Sequence, residues 1–160
     1  MSPPYGSRDL CNKTQIMEKR FTLQQVHPNA WTAMMELSKL ASGTSLSGTE
    51  TELVKIRASQ VNGCAFCIDM HTKDARKKGE TEQRIYALNA WRDTGFFSDR
   101  EQALLALTEE VTLIQDHVKD ATFKTAVDYF GEKGTAEIIM AIVIINSWNR
   151  IAISTGLQPA

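Results

Sequence analysis

Two cysteines and a histidine stand in the segment Cys64-Ala65-Phe66-Cys67-Ile68-Asp69-Met70-His71, separated by three and then four positions. On a helix these spacings put all three side chains on one face in successive turns. A cysteine pair three apart at a helix start can close a disulfide with little backbone movement. The same location favours thiolate, because free backbone N–H groups and the helix dipole stabilise negative charge. An imidazole one turn beyond Cys67 can accept or return a proton near neutral pH. The pattern therefore reads first as a redox-active dithiol with its own proton acceptor.

Two other readings compete for the same residues. Free cysteine is often a small buried apolar residue, so Cys64 and Cys67 could be core alone. Cys64, Cys67 and His71 could also hold zinc, with Glu52 or His117 as a fourth ligand. Structural zinc sites usually add a second Cys or His pair at similar spacing, and the sequence has none. Haem attachment fails, because Ile68 follows Cys67 where a histidine is required. No glycine-rich phosphate or dinucleotide loop occurs, so no bound cofactor is expected and no metal is assigned.

The elements that must position these residues are helices throughout. Pro28 opens a helix to about Ala41, with Trp31, Met34 and Leu37 on one face. A loop over 42–48 follows. The next helix starts near Ser47 or Thr49, where Ser47 with Glu50, or Thr49 with Glu52, can form a capping box. It carries Leu53 and Ile56 and stops at the turn dipeptide Asn62-Gly63. A helix from Cys64 to Gly79 ends in Arg76-Lys77-Lys78, cations placed on the negative end of the dipole. Further helices are expected over 81–92 and over 98–116. The second starts with a Ser98–Glu101 box and carries an inward stripe of Leu104, Leu107, Val111 and Ile114. A helix over 120–130 buries Phe123, Val127 and Phe130 and stops at Gly131, and the last helix runs from about Thr135 to Ser154. Its core, Ile138 to Ile145, is apolar on every face and needs cover all round, in part from another subunit. The fold class is all-α: one domain over 16–160 of about seven helices, preceded by a tail or arm over 1–15.

Composition agrees. The 160 residues are 42% hydrophobic and 23% charged, ordinary values for a globular chain, with Lys and Arg at 18 against Asp and Glu at 19. No basic excess exists to neutralise phosphates, so nucleic acid is not an expected partner. The longest strictly apolar run, Ile138 to Ile145, is far below the roughly 20 residues that span a bilayer. The first twenty residues lack the features of a secretory signal, and the expected compartment is the cytoplasm.

With Glu52 placed twelve positions before Cys64, the pattern Glu52, Cys64-X-X-Cys67-X-X-X-His71 closely resembles the alkylhydroperoxidase AhpD-like family of the carboxymuconolactone decarboxylase superfamily. The resemblance extends through Asn62-Gly63, the helix from Arg84 to Trp91, the Phe97-Ser98-Asp99-Arg100-Glu101 start and Asn146-Ser147-Trp148-Asn149-Arg150. It implies a thiol-dependent peroxidase acting on small organic hydroperoxides. It further implies that Cys67 attacks the peroxide and becomes a sulfenic acid, that Cys64 resolves it to a disulfide, and that Glu52 and His71 form a proton relay with a water. A dithiol or thioredoxin-like reductant would restore the pair, and homotrimeric or homohexameric assembly would follow. Two alternatives stay open: a redox- or zinc-responsive binding module without turnover, and a carboxymuconolactone decarboxylase-like enzyme on a non-peroxide substrate. Phe66 stands where well-known members carry a further histidine. It removes a titratable group from the relay and supplies an apolar ring that could wall the substrate pocket.

Other residues carry less. Glu52 also fits a purely local role as the capping partner of Thr49. Cys11 has no nearby histidine, His27 precedes a helix start, and His117 ends a helix. Asn146, Trp148, Asn149 and Arg150 interrupt the most apolar segment and read as packing or interface, since buried polar groups must be paired. Trp31, Trp91, Met34, Met35 and Met70 read as core.

Overall fold

The structure is a computed structural model that describes residues 18–41 and 43–159. The tail over 1–15, with Cys11, lies outside the described residues. Among the described residues there is no strand, and seven helices are joined by short turns: α1 Leu23–Val26, α2 Pro28–Lys39, α3 Gly48–Asn62, α4 Ala65–Lys77, α5 Glu82–Ala87, α6 Asp99–Thr112 and α7 Asp120–Thr155. The all-α expectation therefore holds.

Helix α3 is the axis of the bundle and packs against α4, α6 and α7. Its start is the capping box of Ser47 and Glu50, not that of Thr49 and Glu52: the Glu50 N–H donates to Ser47 Oγ at 3.1 Å and the Ser47 N–H to Glu50 Oε2 at 2.8 Å. Leu53, Val54, Ile56 and Ala58 of α3 are sealed from solvent together with Leu88, Leu104, Leu105, Leu107, Ile138 and Ile142. Burying such side chains supplies about 1.5–3 kcal/mol each for the large ones, the main force holding the layers together. Ion pairs then fix the azimuth of neighbouring helices. Arg57 and the Trp91 indole N–H both bond Glu109 Oε1, at 2.7 and 2.8 Å, and Arg100 bonds Glu50 at 2.7 Å.

Several local expectations are corrected. The helix over 81–92 is α-helical only to Ala87 and tightens into a 3₁₀ turn over Leu88–Asp93. Helix α6 ends at Thr112, so Ile114 lies in a 3₁₀ turn and is exposed rather than part of the inward stripe. Phe123 is exposed and Ala126 takes the buried position of that turn. The backbone does break at Gly131 (φ 69, ψ 171), but the helix resumes at once and runs to Thr155. By length and composition α7 could cross a bilayer, which the eight-residue run alone did not suggest, yet half of its apolar window is packed inside the bundle.

Candidate active site

The geometry of the site starts at the end of α3. Gly63 adopts a left-handed conformation (φ 69), which glycine enters without a Cβ penalty. Its N–H bonds the Gln60 carbonyl at 3.2 Å, and the Cys64 N–H bonds the Ser59 carbonyl at 2.9 Å. This is the Schellman arrangement, which closes one helix and turns the chain sharply. Here the turn delivers Cys64 directly to the N-cap of α4, with Cys67 in the first turn and His71 one turn further.

The two thiols are both sealed from bulk solvent and packed with Ala58 of α3 and Ile145 and Ala152 of α7. They are free cysteines packed in the same cluster. The bond from the Cys67 thiol, opposed by burial and aided by the Cys67 backbone N–H and the Asn149 side chain, pulls the Cys64 thiol down to about 7. The same bond, with burial, pushes the Cys67 thiol up, since Cys67 is the donor. The two thiols titrate as a pair, with Cys64 pulled down and Cys67 pushed up, the direction that a helix start favours for the thiol at its N-cap.

Glu52, on α3, is buried beside this face. Its Oε2 lies 2.9 Å from His71 Nδ1, while its Oε1 accepts from Lys78 Nζ at 2.6 Å and Lys55 Nζ at 3.1 Å. Burial works to raise its pKa, but the bonds from His71 and Lys78 and the Lys55 charge outweigh it and hold the carboxyl at about 2. An ionised carboxylate can only accept, so Nδ1 of His71 carries the hydrogen and Nε2 is left for other chemistry. The local capping role for Glu52 is excluded by these long-range partners.

His71 also lines a cavity of about 350 Å³. Its walls are Trp31, Met35, Met70, Ala141, Ile144, Ile145 and Trp148, with Ser38 and Lys55 as further polar edges. Trp31 and Trp148 meet edge to face at 5.1 Å, and the Trp148 indole N–H donates to Ser38 Oγ at 2.8 Å, tying α2 to α7 across the opening. Ile145 and Trp148 both wall the cavity and pack against the cysteine cluster, so one layer of side chains serves both. Met35 and Met70 are exposed wall residues rather than core. Phe66 packs against the cysteine cluster and does not wall the cavity.

Four partners escaped the sequence reading. Lys55 and Lys78 look like solvated helix cations in one dimension. Ser59 carries no motif, and Asn149 reads in sequence as packing or interface, its link to Ser59 and Asn62 depending on how α7 faces α3. Asn149 is sealed from solvent; its Nδ2 donates to Ser59 Oγ at 2.9 Å, and its Oδ1 accepts from Asn62 Nδ2 at 2.9 Å. His27, by contrast, only caps α2, accepting from the Ala30 N–H at 3.4 Å. His117 ends the 3₁₀ turn after α6. Among the described residues no group of three His, Cys, Asp or Glu side chains converges so as to hold a metal ion.

A helical bundle that seats a Cys-X-X-Cys pair at a helix start, backed by a Glu–His pair, is an AhpD-like protein. The chain belongs to the carboxymuconolactone decarboxylase family, whose profile matches residues 27–110. It is 45% identical over 145 residues to the uncharacterised protein YdfG of Bacillus subtilis (strain 168), covering 90% of this chain and 99% of the relative. Among solved structures it resembles a protein of unknown function from Agrobacterium tumefaciens, described as a candidate AhpD antioxidant defence protein. That match has 35% identity, a TM-score of 0.87 and coverage of 89% of this chain and 99% of the other. An uncharacterised peroxidase-related protein with an AhpD core from Ralstonia eutropha JMP134 shares the fold at 18% identity, with a TM-score of 0.77 and coverage of 86% and 74%.

Proposed function

We propose that this protein is a thiol-dependent peroxidase that reduces small organic hydroperoxides through Cys64, Cys67, His71 and Glu52. The observation that carries the reading is a pair of free cysteines packed in one buried cluster at a helix start, beside an apolar cavity with an oriented imidazole in its wall. The antioxidant description of the Agrobacterium relative agrees with it.

The chemistry runs in balanced steps. The proton of Cys67 passes to His71 Nε2, leaving the Cys67 thiolate to attack the distal peroxide oxygen. The O–O bond breaks as the S–O bond forms, giving Cys67 sulfenic acid and an alkoxide, which takes a proton from His71. Glu52 orients the imidazole through Nδ1, and Lys55 and Lys78 keep Glu52 ionised throughout. The Cys64 thiolate then attacks the sulfenic sulfur, closing the disulfide and expelling hydroxide, which takes a proton from solvent to leave as water. An external dithiol or thioredoxin-like protein supplies two electrons to reopen it by exchange. A reducible pair of this kind fits the cytoplasm. Exposed apolar side chains on α7 and the turn before it, Ile114, Phe123, Met140 and Val143, fit assembly as a homotrimer or homohexamer.

The test is steady-state turnover of cumene hydroperoxide with a recyclable dithiol. Wild type is expected to turn over and to lose two thiols per chain when the reductant is omitted. Cys64→Ser and Cys67→Ser are expected to stop turnover. Full activity in both variants, or stoichiometric zinc in purified protein lost on Cys64→Ser, would sink the reading.

A further inference from the structure

We propose that Asn149 is the donor that stabilises sulfur negative charge in this dithiol, and that Asn62 and Ser59 are positioning residues that fix its amide. The proposal deepens the peroxidase reading, on which its biological meaning rests, but its test uses no peroxide.

The cysteines are enclosed by Ala58, Ile145 and Ala152. Asn149 stands on the same face of α7, one turn after Ile145 and just before Ala152, and Ser59 follows Ala58 on α3. In an otherwise apolar enclosure, a fully buried carboxamide and a fully buried hydroxyl need partners. The hydrogen bonds show how they are used. A carboxamide has one acceptor end and one donor end, and its orientation must be inferred from its neighbours. The Asn62 Nδ2 group, which also donates to Asn146 Oδ1, settles the matter by donating to Asn149 Oδ1. Asn149 must therefore turn its NH₂ inward. One N–H goes to Ser59 Oγ at 2.9 Å, and the other is left for the thiols, which pack against Ile145 and Ala152 on either side of Asn149 and whose charged forms its side chain favours. Ser59 Oγ, having accepted from Asn149, keeps its own O–H to donate, and Cys67 receives that bond.

The result is a preorganised pair of donors, fixed by Asn62, beside the sulfurs. Such donors need no reorientation when charge moves from Cys64 to Cys67, because Asn149 reaches both. Asn146 continues the chain outward, its Nδ2 donating to Thr112 Oγ1 at 3.2 Å, so a row of buried amides braces the dithiol from behind. Nothing in this row belongs to the Cys–Cys–His–Glu set, and its role needs no peroxide to be present.

The experiment is a pH titration of the reduced full-length protein, following thiolate absorbance near 240 nm and the rate of alkylation by iodoacetamide. Wild type is expected to show a first ionisation at about 7. Asn149→Ala is expected to raise that midpoint by about one pH unit or more, toward the ordinary thiol value. Ser59→Ala and Asn62→Ala are expected to raise it by smaller amounts in the same direction, which a merely structural role would not do. Ser147→Ala, on the same helix with its hydroxyl turned to the Val143 carbonyl, is the control and should leave the midpoint in place. If Asn149→Ala does not fold, the two milder variants carry the test. Midpoints within about 0.2 unit of wild type in every folded variant would overturn the proposal. A protein inert to peroxides whose midpoints move as stated would overturn the peroxidase reading and leave this one standing.

Discussion

His71 Nδ1 and Glu52 Oε2 lie 2.9 Å apart across nineteen residues of sequence, joining α4 to α3. The carboxylate has a second life on its other oxygen, where Lys78 and Lys55 converge. A buried anion with three cationic or donor partners is well compensated, whereas removing the anion would leave those donors facing each other. The pair is thus a structural pin as well as a proton-handling device.

Its pH signature follows. Glu52 titrates at about 2 in the fold against an ordinary value of 4.5. A depressed carboxyl contributes stability that is complete above its unfolded value and is lost as pH falls toward its folded one. The difference corresponds to roughly 3 kcal/mol. Chemical unfolding from neutral pH down to about pH 2.5 should therefore show wild type losing stability in the acid range. Glu52→Gln, less stable at neutral pH, should lose distinctly less over that interval. Parallel acid profiles for the two proteins would refute the assignment of this loss to Glu52.

The order of events between the sulfurs is also open to measurement. The charge rests on Cys64 in the reduced pair, yet attack is assigned to Cys67, one turn from His71. In Cys64→Ser a single peroxide equivalent should leave a sulfenic acid on Cys67, trapped by dimedone and located by peptide mass spectrometry. In Cys67→Ser, Cys64 should yield at least tenfold less adduct, a difference of about 1.4 kcal/mol in barrier. The reverse pattern would exchange the two roles without disturbing the rest of the site.

Much of this arrangement was legible in one dimension because it is local. Ser47 with Glu50 and Ser98 with Glu101 announced two helix starts that the structure contains. Gly63 announced the turn that hands Cys64 to α4, and the three-four spacing put the cysteines and His71 on one face. What was hidden depends on which helices face one another. Lys78 ends α4 like any dipole-complementing cation until α3 supplies Glu52. Asn149 is one polar residue in an apolar stretch until α3 supplies Asn62 and Ser59. Phe123 and Ile114 fit an inward period, but α6 stops one turn early and both are left exposed on the wall of an open groove with Val118 and Ile139.

The cavity makes a prediction about substrate size. Trp148 forms one wall, meets Trp31 edge to face and holds Ser38 through its indole N–H. Trp148→Ala should raise KM for cumene hydroperoxide by roughly tenfold, the equivalent of about 1.4 kcal/mol of lost apolar contact. The apparent second-order rate with hydrogen peroxide, which cannot fill such walls, should change far less. Trp148→Phe keeps most of the apolar area and should fall between. Equal losses on both peroxides in steady-state kinetics would mean that the cavity is not where the alkyl group binds.

Two glycines separate backbone strain from collision. Gly63 and Gly156 both sit at positive φ, 69 and 71, and each closes a helix. A Cβ on Gly63 would meet nothing within 4 Å, whereas one on Gly156 would lie 2.5 Å from the Glu18 carbonyl oxygen. Gly63→Ala therefore carries only the left-handed penalty of about 1–2 kcal/mol. Gly156→Ala adds a clash with backbone that can be relieved only by moving the segment around Arg20, whose N–H is bonded to the Thr155 carbonyl at 2.9 Å. Thermal unfolding should rank wild type above Gly63→Ala and Gly63→Ala above Gly156→Ala. The functional ranking should invert. Gly63→Ala tilts the N-cap that carries Cys64 and should slow disulfide closure, while Gly156→Ala, distant along the chain from the Schellman turn, should leave the closure rate of its folded fraction near wild type. Stopped-flow tryptophan fluorescence after a peroxide pulse reads that rate, and a Gly63→Ala protein that closes its disulfide at the wild-type rate would show that the turn does not set the geometry of the pair.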